Sequence, residues 1–208
     1  MESKTPTEWP EKCPPAAILL AAGSASRMGR PKQLLELRGM TLLEIALRKA
    51  REAGYAPLVV VGGAYRDPLE KLCAEVLPGV GFCYNPDWST GMGSSISCGL
   101  RHLLEIAPDT PGALIYLADQ PGVRAGQLEE MRLIWESDHP PYITAFYREK
   151  PGAPALFSRT LFPELLQLTG EQGAKSLFTR FPGIRYPLPE AAFDLDTPEE
   201  WAKYVAEN

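Results

Sequence analysis

The stretch Ala16-Ala17-Ile18-Leu19-Leu20-Ala21-Ala22-Gly23-Ser24-Ala25-Ser26-Arg27-Met28-Gly29-Arg30-Pro31-Lys32 decides the reading of this chain. An unbroken apolar run ends in small residues, with a glycine at Gly23, and three cations follow within nine positions of it. The run predicts a strand over 16–20 that is buried on both faces. The small residues after it let backbone approach a ligand closely, and successive amide groups there form an anion-binding concavity. Arg27 and Lys32 can balance phosphate charge, so the segment suits a polyphosphate. It is not the GxGxxG dinucleotide turn or the GxxxxGK[ST] nucleotide loop: Gly23 and Gly29 are six apart and Lys32 follows a proline. The plain alternative is a solvated strand-to-helix turn with ordinary surface cations.

Outward from this segment, short apolar runs at 58–62, 80–84 and 113–117 read as further strands, all buried on both faces. Amphipathic stretches separate them. Thr41 and Glu44 make a capping-box pattern, Leu42, Ala46, Ala50 and Ala53 recur at helical spacing, and Gly54 supplies a stop. Helices are also expected over 67–76, 94–106 and 126–136. Beyond these, 142–147 alternates like a strand, the cluster 150–154 reads as a turn, and 155–157 returns as its partner. Thr197-Pro198-Glu199-Glu200 opens a terminal helix. The fold class is therefore α/β: a single three-layer α/β/α domain over 15–208, with a mostly parallel mixed sheet and a disordered leader at 1–14.

Composition limits the partners. The chain has 208 residues, 45% hydrophobic and 23% charged, and a net charge of −5. That leaves no global basic field for nucleic acid or an anionic membrane surface, so any phosphate must be held locally. No apolar run approaches the roughly 20 residues that span a bilayer, and residues 1–15 lack the apolar core of a signal peptide. The four cysteines, Cys13, Cys73, Cys83 and Cys98, have no CxxC spacing, and only two histidines accompany them. They read as reduced thiols packing as small hydrophobes in a cytoplasmic protein, with no zinc site.

Three more segments carry chemistry. Asn85-Pro86-Asp87-Trp88-Ser89-Thr90-Gly91-Met92-Gly93-Ser94-Ser95 leads into a helix whose unpaired amides, with the Ser94 and Ser95 hydroxyls, suit base carbonyls or phosphate oxygens. A simple N-cap explains either serine alone. Asp119 follows a buried strand at its carboxyl end, where open α/β sheets place their ligands. A hard Mg²⁺ takes one or two carboxylates together with substrate phosphates, and Asp119 can supply one, although an aspartate before Gln120-Pro121 also caps turns. Asp194 and Asp196 share a face if their segment is extended. One is then a second ligand, or else Asp196 merely precedes the Thr197 cap and Asp194 is solvated.

These strings together resemble the MobA-like nucleotidyltransferases, particularly the molybdenum cofactor cytidylyltransferase branch, over roughly 16–205. The resemblance implies a Rossmann-like nucleotidyltransferase fold. It places Arg27 and Lys32 on the phosphates of a nucleoside triphosphate and Ala21, Ala22, Gly23 and Ser24 against the nucleotide. The loop with Asn85, Gly91, Ser94 and Ser95 would meet base and ribose. Leu117-Ala118-Asp119-Gln120-Pro121 is similar to the metal-binding aspartate motif, with Ala118 where glycine is commoner, and Asp194-Leu195-Asp196-Thr197-Pro198 to the Asp-x-Asp-Thr-Pro ending. Gly152 and the segment 169–175 would face the acceptor, although Ala153 stands where histidine is common and Glu171 where aspartate is usual. Leu20-Ala21-Ala22-Gly23 replaces the Leu-Ala-Gly-Gly of guanylyltransferases, which favours CTP over GTP. The Ala22 methyl would take space that a purine needs. The implied reaction is Mg²⁺-dependent transfer of CMP from CTP to the phosphate of molybdopterin, releasing pyrophosphate, with Arg27, Lys32 and Asp119 as catalytic residues. A molybdoenzyme or its maturation chaperone would take the product. Transfer to a sugar or polyol phosphate, and a non-catalytic carrier of the molybdenum cofactor, are the alternatives. A dinucleotide oxidoreductase lacks its glycine turn.

Overall fold

The apolar run after residue 15 is central to the sheet and wholly buried: β1 (Ala16–Ala21) has strands on both sides and helices on both faces. The computed structural model describes residues 13–24, 31–76, 78–171, 173–192 and 197–207. In chain order β1 is followed by a small hairpin, β2 (Glu36–Leu37) and β3 (Met40–Thr41), then α1 (Leu42–Glu52), β4 (Leu58–Gly62), α2 (Arg66–Val76) and β5 (Gly81–Tyr84). Next come α3 (Met92–Ile106), β6 (Gly112–Leu117), α4 (Ala125–Asp138), β7 (Tyr142–Tyr147) and β8 (Lys150–Ser158). The chain continues through α5 (Phe162–Leu166), α6 (Leu177–Arg180), β9 (Ile184–Pro187) and α7 (Pro198–Glu207).

The main sheet has the order β5-β4-β1-β6-β8-β7-β9. β5, β4, β1 and β6 run parallel, β8 is antiparallel to β6 and β7, and β9 is parallel to β7. The expected mixed sheet is present. Because side chains alternate along β1, Ala17, Leu19 and Ala21 join one core with residues of α1, α2 and α4. Ala16, Ile18 and Leu20 join the other with α3, α5 and α6. A third cluster docks Trp201 and Tyr204 of α7 on Leu35 and Leu42. No helix among the described residues is long and apolar enough to cross a membrane.

Local signals set the helix ends. Thr41 accepts a hydrogen bond from the Glu44 amide at 3.2 Å and starts α1. At α7, Thr197 Oγ1 accepts from the Glu200 amide at 3.2 Å while the Thr197 amide donates to the Glu200 carboxylate at 3.0 Å, a reciprocal capping box.

Two expectations need correction. β5 is not buried on both faces but is the sheet's edge, half-buried with Tyr84 exposed. The turn between β7 and β8 is also not at 150–154. It is Arg148-Glu149, both left-handed (φ 48° and 59°), the pair of positive φ values that a two-residue hairpin requires. β8 then runs through Pro151 and Pro154. It can do so because its ladder to β6 stops at Ile115 opposite Ala155, and its register with β7 shifts between Thr144 and Ala145, leaving Ala153 and Pro154 as a bulge.

Helix α3 lies close on the sheet because it presents Gly99. A Cβ there would stand 2.6 Å from the Cγ2 methyls of both Ile18 and Val61. Gly99→Val is expected to lower unfolding free energy by about 1–3 kcal/mol through overpacking, measured by urea denaturation. Unchanged stability would contradict this contact.

Candidate functional site

β1 is where strand order reverses: the chain moves outward from it to β4 and β5, then returns to add β6 on the other side. In open α/β sheets the crevice beyond the strand ends at such a point is where ligands bind. The loops after β1 and β6 border it. The strands are paired in register there, with Leu20 opposite Leu117, and the Ala118 amide reaches the Leu20 carbonyl at 3.4 Å. Across this crevice Lys32 Nζ stands 3.7 Å from Asp119 Oδ2, the lysine side chain largely buried and the carboxylate part-exposed.

Several groups hold the first loop open at the strand's end. Lys32 begins a 3-10 turn over Lys32–Leu34, and the next residue, Gln33, is buried and donates from Nε2 to the Ala21 carbonyl at 3.1 Å. Tyr65 Oη donates to the Ser24 carbonyl at 2.7 Å, and the Ala64 amide to that of Ala22 at 3.1 Å. Gly63 is required by closeness: a Cβ there would lie 2.5 Å from the Ala22 carbonyl oxygen and 2.7 Å from the Trp88 Cβ. Gly23 is exposed beside Ser24, while Ala21 and Ala22 are buried. Arg27, in 25–30, and Asp194 and Asp196, in 193–196, lie outside the described residues.

The loop after β5 organises itself from within. Asn85, 2% exposed, donates from Nδ2 to Ser94 Oγ at 2.9 Å and Ser95 Oγ at 3.0 Å, and accepts the Asp87 amide at 3.0 Å. Ser94 Oγ in turn lies 2.8 Å from the Gly91 carbonyl and 3.0 Å from that of Asp87. These three polar side chains therefore shape the loop and leave it mainly backbone to offer. Gly91, at φ 125°, makes the turn into α3, where the Gly93 amide donates to the Gly170 carbonyl at 2.9 Å. Beside this loop a cleft of about 390 Å³ is lined by residues 63–68 and Tyr84, with the Arg66 guanidinium 5.1 Å above the Tyr84 ring.

The Asp119 loop is fastened from two sides. Lys49 Nζ of α1 donates to the Pro121 carbonyl at 2.7 Å. Gln120, 1% exposed, donates from Nε2 to the Ala153 carbonyl in the β8 bulge and to the Ala191 carbonyl, each at 3.0 Å. Gly152 precedes this bulge, paired opposite Ala145, its carbonyl accepting from Thr144 Oγ1 at 2.7 Å. Gln120 thus joins the strand-end aspartate to the bulge that follows Gly152. Gln33, Lys49, Tyr65 and Gln120 were not among the expected site residues. The only local signal for the two glutamines is their position directly after Lys32 and Asp119.

A family model described as the MobA-like NTP transferase domain matches residues 17–184. The chain belongs to this family. It is thus a nucleotidyltransferase, and it shares the family's α/β fold with solved relatives. One is Rv0371c of Mycobacterium tuberculosis H37Rv in complex with manganese, at 28% identity and TM-score 0.73, covering 93% of this chain and 98% of that one. The purine catabolism protein PucB of Bacillus subtilis is 29% identical over 197 residues, 88% of this chain and 92% of that protein. The molybdenum cofactor cytidylyltransferase of Escherichia coli is 22% identical over 187 residues, 88% of this chain and 92% of that protein. Nicotine blue oxidoreductase of Paenarthrobacter nicotinovorans is 40% identical over 109 residues, only 51% of this chain and half of that protein's length.

The donor chemistry of this MobA-like site fits a hard divalent cation. No three His, Cys, Asp or Glu side chains come together among the described residues, so they build no all-protein cage. A part-exposed carboxylate at the mouth of the crevice suits an ion that completes its shell with phosphate oxygens and water.

Burial pushes the Lys49 ammonium down to about 8. The unfolded chain keeps a lysine near 10.4, so between these values the unfolded state holds more protons and rising pH favours the fold. The burial penalty is present in full below pH 8. In urea denaturation, the stability of the parent protein relative to Lys49→Met should therefore rise from pH 7 to pH 10; a difference independent of pH would contradict the assignment.

Proposed function

We propose that the protein transfers CMP from CTP to the terminal phosphate of molybdopterin, releasing pyrophosphate, with Mg²⁺ as its divalent ion, in a reducing cytoplasm. The observation that carries this reading is the 3.7 Å approach of Lys32 Nζ to Asp119 Oδ2 across the crevice between β1 and β6. A lone ammonium there would repel a cation, and a lone carboxylate would repel a triphosphate. Placed together they accept a metal–triphosphate complex, the ammonium toward phosphate oxygens and the carboxylate toward the ion. The named cytidylyltransferase relative supports the acceptor and nucleotide.

In this reading the triphosphate lies along the loop after β1, where Ala21, Ala22, Gly23 and Ser24 permit close backbone approach and Lys32, with Arg27, balances its charge. The base lodges in the cleft beside Gly63 and Tyr84, and the loop from Asn85 to Ser95 borders the ribose. The Ala22 methyl, buried beside Gly63, narrows the wall on this side and so favours a pyrimidine. Asp119, with Asp194 or Asp196 as the second carboxylate, would hold a magnesium ion, which would supply charge neutralisation on the phosphates.

No side-chain base is required. A phosphate monoester has a second pKa near 6 and is largely a dianion at neutral pH, so it attacks the α-phosphorus directly. Lys32 and Arg27 stabilise the departing pyrophosphate, and the rest of the task is alignment. Gln120 contributes to alignment by holding the bulge that follows Gly152, on the acceptor side, at a fixed distance from Asp119. A redox activity of the kind named for one relative has no support in the loop after β1, which lacks the dinucleotide glycine turn.

Asp119→Ala is expected to lower pyrophosphate release from CTP, Mg²⁺ and molybdopterin by about 10²–10³-fold while keeping the far-ultraviolet circular dichroism of the parent. A variant as active as the parent would overturn the assignment of Asp119. In competition, CTP should displace GTP as substrate; preferred use of GTP would overturn the role of Ala22. Turnover with sugar or polyol phosphates but not molybdopterin would replace the acceptor.

A further inference from the structure

Cys83 and Cys98 lie outside the machinery just described, yet they meet. Cys83 is on β5 and Cys98 is two turns into α3, and their sulfurs stand 4.0 Å apart. Cys98 Sγ also lies 3.7 Å from the Tyr84 carbonyl. Both are only partly buried, because β5 is the edge of the sheet. Cys73, by contrast, is fully buried, and burial pushes its thiol up to about 12.

The two partners are not equivalent. The hydrogen bond shared with Cys83 and the Arg101 charge lower Cys98, against burial and the carboxylates of Asp87 and Glu105. Cys83 is pushed up, first by that same hydrogen bond and then by burial. This is the arrangement of an attacking thiolate beside a resolving thiol.

We propose that Cys83 and Cys98 form a thiol–disulfide site that reacts with small disulfides of the oxidised-glutathione class and closes a reversible bridge between β5 and α3. The Cys98 thiolate attacks one sulfur of the oxidant, its disulfide bond breaks, and one thiolate leaves. Cys83 gives its proton to water and its sulfur attacks the Cys98 sulfur of the mixed disulfide, expelling the second thiolate. The protein thiols lose two electrons, and one disulfide becomes two thiols.

The bridge reaches the loop that precedes α3. A disulfide needs its sulfurs at about 2.05 Å, so closing the 4.0 Å gap shifts Cys83 and Cys98, the two residues that bracket the segment 84–97. That segment contains the Asn85 hydrogen bonds to Ser94 and Ser95 at 2.9 and 3.0 Å, and such bonds weaken steeply when distance or angle is distorted. Oxidation therefore weakens nucleotide binding. This consequence rests on the proposed nucleotidyl transfer; the bridge itself does not.

The test treats the full-length native protein with oxidised glutathione, alkylates remaining thiols and maps cysteine peptides by mass spectrometry, with Cys83→Ala in parallel. The expected result is a Cys83–Cys98 linked peptide in the parent, reversed by dithiothreitol, and glutathione retained on Cys98 in the variant. Both thiols still open to alkylation in the parent would overturn the site. CTP titration of the reduced and bridged parent should show a severalfold loss of affinity on bridging; equal affinity would overturn the coupling to the loop. Absence of CTP binding in the reduced protein together with a mapped bridge would overturn the nucleotide reading and leave the thiol site standing.

Discussion

Everything in the candidate site depends on β1 and β6 lying side by side in parallel, in register, with the chain leaving them toward opposite flanks. Strand pairing places the ends of two segments almost a hundred residues apart next to each other. Lys32 and Asp119 are thereby brought into contact at the mouth of the sheet without either being part of a helix or strand core. The burial of β1 on both faces makes this placement rigid, because sliding it by one residue would exchange the two hydrophobic cores between which its side chains alternate.

Around that rigid pair the loops are set by buried amides. Gln33 holds the carbonyl at the end of β1, Asn85 gathers two serines at the start of α3, and Gln120 spans from the aspartate loop to the β8 bulge. A primary amide has two donors, so one buried side chain can tie two segments, as Gln120 does with Ala153 and Ala191. The Oε1 atoms of Gln33 and Gln120 are buried and meet no hydrogen-bond donor among the described residues.

The interior of the sheet was legible in the residues themselves. Central parallel strands are buried on both faces and read as unbroken apolar runs, which is how β1, β4 and β6 are recognised. The edge was harder: Phe82 and Cys83 look as apolar as Val60, but edge position depends on strand order, which no local pattern carries. The β7–β8 turn was misplaced because Pro151-Gly152 carries the usual turn signal whereas Arg148 and Glu149 adopt positive φ without a glycine. β9 is four residues long and ends in proline, too little pattern to register. At the site, Lys32 and Asp119 stand out as charge beside small residues at a strand end and through the resemblance of their strings to family motifs, and the fold brings them within 3.7 Å. Gln33 and Gln120 were passed over because glutamine is ordinarily a surface residue. Cys83 and Cys98 were read as packing thiols, since fifteen residues of separation conceal that a strand edge and a helix bring them together.

In the proposed reading, the crevice between β1 and β6 binds a nucleoside triphosphate together with a divalent cation. Calorimetric titration of the reduced protein with CTP, once with Mg²⁺ and once with excess chelator, tests it most directly. Saturable binding with the ion, largely lost on chelation, is the expected result. Binding of equal strength in both conditions, or none in either, would contradict it.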